Sequence, residues 1–128
     1  MTAFSFQTVP TLKFGEPAAQ ALAPLVATFG AQRLMMVTDP GVVGAGLVEP
    51  VVAALKDQGL TVSVYDDVVA DPPESKVLAA VDAAKTFGAE AIVGFGGGSP
   101  MDTAKLVALL CRAEQPLSEI YGVGQVDR

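Results

Sequence analysis

Apolar positions along the chain follow two alternating rhythms. Continuous runs, of which Leu34-Met35-Met36-Val37 is the clearest, alternate with stretches where apolar residues recur every three or four positions. Leu22, Leu25, Val26 and Phe29 share one helical face, Val48, Val51, Val52 and Leu55 a second, and Val77, Ala80, Val81 and Ala84 a third. Each predicted helix closes on a glycine, in Phe29-Gly30-Ala31, Gln58-Gly59-Leu60 and Phe87-Gly88-Ala89. Glycine just past a helix end takes the left-handed conformation without a Cβ penalty. A β-rich segment follows each glycine: Arg33 to Thr38, Thr61 to Tyr65, and Ala91 to Phe95. Strands that are apolar throughout, rather than alternating, are covered on both faces. Alternation of such strands with helices predicts an α/β fold: a parallel sheet with right-handed crossovers and helices on both faces.

The two ends depart from this rhythm. Phe4 to Gln7 and Thr11 to Phe14, around Val9-Pro10, predict an N-terminal edge hairpin. A last helix is expected from about Pro100 to Arg112; Pro116 then breaks the chain, and Ser118 to Tyr121 suggest one short turn. With 128 residues, one domain is expected over 1–128.

Composition narrows the function classes. At 51% hydrophobic and 17% charged residues the chain has the makings of a core and not of a disordered segment. Its net charge of -6, without a Lys/Arg cluster, argues against nucleic acid as a partner. The same charge requires any phosphate ligand to be held locally, by backbone donors or a helix end, because the overall field repels anions. The chain has no histidine, which excludes a Ser-His-Asp triad, histidine acid-base catalysis and a histidine metal site within these residues. Cys111 is the sole cysteine, so no intramolecular disulfide forms, as expected of a cytoplasmic protein. Met1 to Gln7 lacks the pattern of a signal peptide, and no apolar run approaches the roughly 18 residues of a membrane span. A soluble protein without a membrane partner is expected.

The strongest local signal is Gly94-Phe95-Gly96-Gly97-Gly98-Ser99-Pro100-Met101-Asp102-Thr103-Ala104-Lys105, which follows an apolar strand and opens a helix. Consecutive glycines let the backbone approach a ligand closely. A helix start adds unpaired N–H groups and the positive end of the helix dipole, together a site for a pyrophosphate. The segment is neither a Rossmann fingerprint, which needs glycine where Ser99 stands, nor a P-loop, whose lysine follows a glycine. Helix initiation is the competing account. Ser99 would be the N-cap, Pro100 the first helical residue and Asp102 the capping-box acid, with Lys105 paired to Asp102. That account leaves the three glycines of 96–98 unexplained. Asp39 has two readings as well. At a strand end its carboxylate can accept from a ribose diol and repel a 2′-phosphate, favouring NAD over NADP; alternatively Asp39-Pro40 is a turn or helix cap. Cys111, among Val107, Leu109 and Leu110, reads as a core residue, and Asp66, Asp67 and Asp71 read as a solvated loop.

Gly96-Gly97-Gly98-Ser99-Pro100-x-Asp102-x-Ala104-Lys105 resembles the N-terminal signature of the iron-type (group III) alcohol dehydrogenases. The resemblance extends back through Val37-Thr38-Asp39, the helix ending at Gly59, and Asp71-Pro72, and so covers nearly all of the chain. It implies a two-domain enzyme that passes hydride between an alcohol or aldehyde and a nicotinamide cofactor. A Rossmann-like first domain would bind NAD or NADP, and a second, helical domain would hold a divalent metal, iron or zinc, through one aspartate and three histidines. Gly96, Gly97, Gly98 and Ser99 would hold the cofactor pyrophosphate, Asp102 would lie near the nicotinamide-side ribose or carboxamide, and Asp39 would bond the adenosine ribose. Asp71-Pro72 would lie near the adenine.

On this resemblance, residues 1–128 are the dinucleotide-binding domain, truncated at its C-terminal end, with the helical domain absent and no catalytic or metal-binding residue present. The chain alone would then lack metal-dependent turnover. Two other readings remain open: a standalone α/β module that binds a nucleotide or partner without catalysis, and a polyol dehydrogenase or reductase of the same fold. The N-terminal hairpin offers an edge through which a homodimer could form.

Overall fold

The computed structural model of the chain describes residues 3, 9–15, 18–112 and 117–119. A short 3-10 turn, Ala18–Ala21, leads into α1, Leu22–Ala27. Then follow β1 (Arg33–Val37), α2 (Pro40–Gly44), α3 (Val48–Asp57), β2 (Thr61–Tyr65), α4 (Glu74–Phe87), β3 (Ala91–Gly94) and α5 (Gly98–Leu110). A second 3-10 turn, Leu117–Glu119, overlaps the expected short turn at Ser118 and Glu119; residues 120 and 121 lie outside the described residues.

Among the described residues the three strands form one parallel sheet in the order β2-β1-β3. Leu34 pairs with Val62 on one side and Ala91 on the other, and Val37 with Tyr65 and Gly94. The central strand explains the all-apolar run: Leu34, Met35, Met36 and Val37 are each 1% exposed or less. Successive side chains of a strand point to opposite faces. Met35 and Val37 pack with Val77, Ala80, Val81 and Ala84 of α4 and with Ala104, Val107 and Leu110 of α5. Leu34 and Met36 pack on the other face with Val26 of α1 and Val48, Val51 and Leu55 of α3. Helices therefore cover both faces, as the sequence pattern required, and each buried side chain of this size contributes on the order of 1.5–3 kcal/mol.

The closing glycines behave as expected. Gly30, Gly59 and Gly88 hold φ of +68°, +88° and +71°, in the left-handed region. The Gly88 cap has further support. Arg33 opens β1, and its Nε donates to the carbonyl of Phe87, the last residue of α4, at 2.9 Å. The same guanidinium stands 4.5 Å over the Phe87 ring. A cation at this end also complements the helix dipole.

Two expectations at the N-terminal end need correction. In α1 the buried residues are Ala23 and Val26, whereas Leu25 and Phe29 are 37% and 75% exposed. The helix is short and presents only a narrow stripe to the core. Thr11 to Phe14 is not a strand, and Leu12 and Phe14 are 83% and 100% exposed. A strand exists only through ladder bonds to a partner, and among the described residues none pairs here. The partner expected for it, Phe4 to Gln7, lies outside the described residues.

Candidate functional site

The connection from β1 turns to one side of the sheet, to β2, and the connection from β2 crosses to the other, to β3. This reversal makes a crevice at the carboxyl ends of β1 and β3, where open α/β sheets bind ligands. The residues there are Thr38-Asp39 after β1 and Phe95-Gly96-Gly97 after β3. Thr38 joins them. It is fully buried, its Oγ1 donates to the Phe95 carbonyl at 2.7 Å, and its N–H donates to Tyr65 O at 2.8 Å. The Phe95 N–H returns a bond to Val37 O at 2.9 Å. The start of the glycine loop is therefore tied to the end of the central strand.

The glycines differ in what they require. A Cβ on Gly94 would stand 2.9 Å from the Met101 Cα and 3.0 Å from the Ala104 Cβ, so this glycine lets α5 sit against β3. Gly96 holds φ of +141°, and a Cβ there would meet Pro100 Cγ at 3.0 Å, Val42 Cγ2 at 3.1 Å and Asp39 Oδ2 at 3.5 Å. Side chains added at Gly97 and Gly98 would meet no protein atom within 4 Å. These two glycines are not demanded by packing; they bare the backbone to open space.

Helix α5 begins earlier than the sequence suggested. Its N-cap is Gly97, with φ -79° and ψ -160°, and no side chain caps it. Ser99 is thus already in the first turn and is not the N-cap, so the helix-initiation account of Ser99 fails. The first intrahelical bond is Met101 N–H to Gly97 O at 3.3 Å, and Pro100 has no N–H. Among the described residues the N–H groups of Gly97, Gly98 and Ser99 have no acceptor. These three residues stand at the positive end of a helix of 13 residues and line a cleft.

That cleft, of about 350 Å³, is lined by Asp39, Pro40, Val68, Val69, Ala70, Gly97, Gly98, Ser99 and Pro100. Four of the six candidate site residues thus line one cleft, and a fifth, Gly96, lies close to Asp39, whose Oδ2 would stand 3.5 Å from a Cβ there. Asp39 is the N-cap of α2: its Oδ1 accepts from Val42 N–H at 2.9 Å. The cap reading of Asp39 is correct for that oxygen, while Oδ2 faces the glycine loop. The sixth candidate, Asp102, lies on the far side of Ser99. There a second cleft of about 390 Å³ opens between α4 and α5, with Ser99, Asp102 and Thr103 on one wall and Asp71, Pro72 and Glu74 on the other. Asp71 accordingly keeps company with Asp102 and does not line the Asp39 cleft. Asp71 is also the one described non-glycine residue with positive φ, +45°. Lys105 pairs with Asp102 at 3.4 Å, both side chains more than three-quarters exposed, so the pair adds little stability.

Other candidates resolve simply. Cys111 is half-buried, packed against the α4–α5 cluster. Asp66, Asp67 and Asp71 are exposed, and no group of three His, Cys, Asp or Glu among the described residues could hold a metal ion. No described helix is long and apolar enough to cross a membrane. Two residues escaped the sequence reasoning, Thr38 and Thr103, both buried threonines next to the site. The spacing Pro100, Thr103, Ala104, Val107 was the available signal, since it places Thr103 on the inward face of α5.

Comparison with known proteins finds relatives over most of this chain. Sulfoacetaldehyde reductase of Bilophila wadsworthia is 33% identical over 124 residues, covering 97% of this chain and 32% of the relative. Long-chain-alcohol dehydrogenase 1 of Geobacillus thermodenitrificans is 40% identical over 101 residues, covering 79% of this chain and 26% of its own length. The chain therefore spans about a third or less of these curated relatives. Among solved structures, NADH-dependent butanol dehydrogenase A of Thermotoga maritima superposes with a TM-score of 0.81 at 30% identity, over 90% of this chain and 29% of that one. Sulfoacetaldehyde reductase of Bifidobacterium kashiwanohense, solved in complex with NAD+, shares the fold with a TM-score of 0.83 at 24% identity, over 97% of this chain and 32% of that one. A family model, Iron-containing alcohol dehydrogenase, matches residues 10–128, and with a match of that extent the chain belongs to the iron-containing alcohol dehydrogenase family.

Proposed function

We propose that this chain is the dinucleotide-binding part of an alcohol dehydrogenase that moves hydride between an alcohol or aldehyde and a nicotinamide cofactor, with NAD favoured over NADP. The observation that carries the reading is the meeting of Asp39 with the unpaired amides of Gly97, Gly98 and Ser99 in one cleft at the sheet's carboxyl edge. The residues fit such a group. The bare backbone at Gly97 and Gly98 leaves room for a pyrophosphate that a Cβ would contest. Asp39 Oδ2 supplies an acceptor for a ribose diol and a charge opposed to a 2′-phosphate. In an acidic chain this is the local donor set that an anion requires.

A metal does not fit the described residues, since no three His, Cys, Asp or Glu among them could hold one. In the proposed whole enzyme a divalent metal, iron or zinc, and the substrate would be held by residues outside this chain. The 128-residue chain is accordingly expected to bind cofactor without turning over alcohol.

Calorimetric titration with NADH and NADPH tests the reading. NADH is expected to bind more tightly than NADPH, and Gly97→Asp is expected to abolish binding while circular dichroism stays unchanged, since nothing crowds a side chain there. Retention of full NADH affinity by Gly97→Asp would refute the site. Robust alcohol oxidation by the pure 128-residue chain would refute the division of labour.

A further inference from the structure

Helix α2 has little of its own to hold it. It has five residues, Pro40-Gly41-Val42-Val43-Gly44, and none of them is buried. Backbone bonds alone do not sustain so short a helix, and glycine is the least favourable helical residue after proline. One of the two glycines has a steric reason: a Cβ on Gly41 would stand 3.1 Å from Asp39 Oδ1. Gly44 has none. Its φ is not positive, and a Cβ there would meet nothing within 4 Å. Few buried apolar contacts and exposed backbone bonds mark a segment that opens locally at low cost.

The tethers of α2 are shared with the candidate site. Val42, its one half-buried side chain, rests on the core cluster between the sheet and α1 and α3. Its Cγ2 would also stand 3.1 Å from a Cβ on Gly96 of the glycine loop. The Val42 N–H donates to Asp39 Oδ1 at 2.9 Å, and the Val43 N–H to the Asp39 carbonyl at 3.2 Å. The carboxylate that lines the cleft is therefore the one that starts the helix.

We infer that α2 is a strap whose order is coupled to the dinucleotide: it frays in the free protein and is locked when a ligand bridges Asp39 and the glycine-loop amides. The inference rests on the dinucleotide reading above and adds a conformational step to it. A ligand hydroxyl on Oδ2 holds the Asp39 side chain in the rotamer that sets Oδ1 on the Val42 N–H. A folded α2 in turn presents that carboxylate ready-made. The two effects are one coupling seen from its two ends. Affinity is then lowered in proportion to the share of free molecules whose α2 is open.

Hydrogen exchange of the Val42, Val43, Ala45 and Gly46 amides, read by NMR with and without saturating NADH, tests the coupling. Calorimetric titration of wild type, Gly44→Ala and Gly46→Ala with NADH completes it. Neither glycine lines the cleft. Alanine at 44 favours the helix, whereas Gly46, at φ +74°, resists a side chain, so Gly46→Ala loosens the end of α2. In free wild type the four amides should exchange faster than those within α4 by roughly tenfold or more, and NADH should slow them by a similar factor. Gly44→Ala should tighten NADH binding by roughly two- to fivefold, and Gly46→Ala should weaken it by about as much. A Gly44→Ala protein that melts higher but binds NADH as wild type does would overturn the coupling, since α2 would then be folded before the ligand arrives. Exchange at the four amides that NADH leaves unchanged while it binds would overturn the coupling alone. A wild type that binds no NADH would overturn the dinucleotide reading and the coupling together.

Discussion

Replacing Thr38 with valine removes one bond from the junction of strand and glycine loop and leaves almost everything else in place. The two backbone bonds at the junction, Thr38 N–H to Tyr65 O and Phe95 N–H to Val37 O, do not involve the side chain. Valine has nearly the volume of threonine, so the fully buried site keeps its packing. What is lost is the 2.7 Å bond from Oγ1 to the Phe95 carbonyl. Such a bond is worth about 1 kcal/mol net, and stranding its acceptor adds desolvation, to a total of about 1–3 kcal/mol. Phe95 is only half-buried, so water reaches its surroundings and the lower half of that range applies: about 1–2 kcal/mol. For a domain of this size that corresponds to a melting temperature lower by roughly 4–8 °C. Urea and thermal unfolding would measure the loss. Thr38→Ser separates the two functions of the residue, since it keeps the hydroxyl and gives up a methyl group. Serine is expected to hold the loop and bind NADH normally despite some loss of stability, whereas valine weakens binding several-fold. A Thr38→Val protein that unfolds with wild type and binds NADH with wild-type affinity would refute the claim that this hydroxyl holds the loop.

Two further predictions follow from packing and burial. Gly94→Ala places a methyl 2.9 Å from the Met101 Cα, so α5 must shift off the sheet; a cost of roughly 1–3 kcal/mol is expected in urea unfolding, and an unchanged midpoint would contradict the contact. At Cys111, burial pushes the thiol pKa above its ordinary value, against the opposing pull of Lys85 and Arg112. A thiol that holds its proton more tightly when folded gives its stability in full below the unfolded pKa, and loses it as pH rises through the folded value. Iodoacetamide should therefore alkylate the native protein at pH 8 more slowly than the urea-unfolded chain, and equal rates would count against the burial.

The elements that were legible in the sequence are those whose signal is local. The cap glycines at 30, 59 and 88 announce a backbone conformation that other residues avoid, and all three adopt it. Val77, Ala80, Val81 and Ala84 turned inward because one face of α4 had a sheet to cover. Where the partner is distant, the sequence was silent. Arg33 looked like the polar start of a strand, yet it caps a helix whose end lies 54 residues away. Strand order was equally hidden, and with it the reversal that puts Asp39 beside the glycine loop. Thr11 to Phe14 has the composition of a strand, but composition does not supply the partner that a ladder needs. The start of α5 was misplaced for a different reason. Ser99-Pro100 is a good N-terminal signal, and Gly97 a weaker cap, so local propensity favours the later start. In the structure the early start leaves the amides of Gly97, Gly98 and Ser99 bare in the cleft. A local preference overruled at a candidate ligand site is the kind of exception that function produces.

Asp39 shows how a structural and a functional reading of one residue can both hold. Its Oδ1 caps α2 through Val42 N–H at 2.9 Å, and its backbone leads into Pro40 at the first helical position. The cap fixes the carboxylate plane, and a fixed plane keeps Oδ2 aimed at the glycine loop, 3.5 Å from where a Gly96 side chain would begin. Asn and Asp are about equal as caps, so Asp39→Asn preserves α2 and the plane while removing the charge. Asp39→Ala removes both, and the lost cap costs about 1 kcal/mol. If the charge is what turns NADP away, Asp39→Asn should narrow the preference for NADH over NADPH at unchanged thermal stability. Asp39→Ala should narrow it too, but with a lower melting temperature and weaker binding of both cofactors. Unaltered discrimination in Asp39→Asn would leave Asp39 a helix cap alone, and the choice of cofactor would have to be made by residues other than this carboxylate.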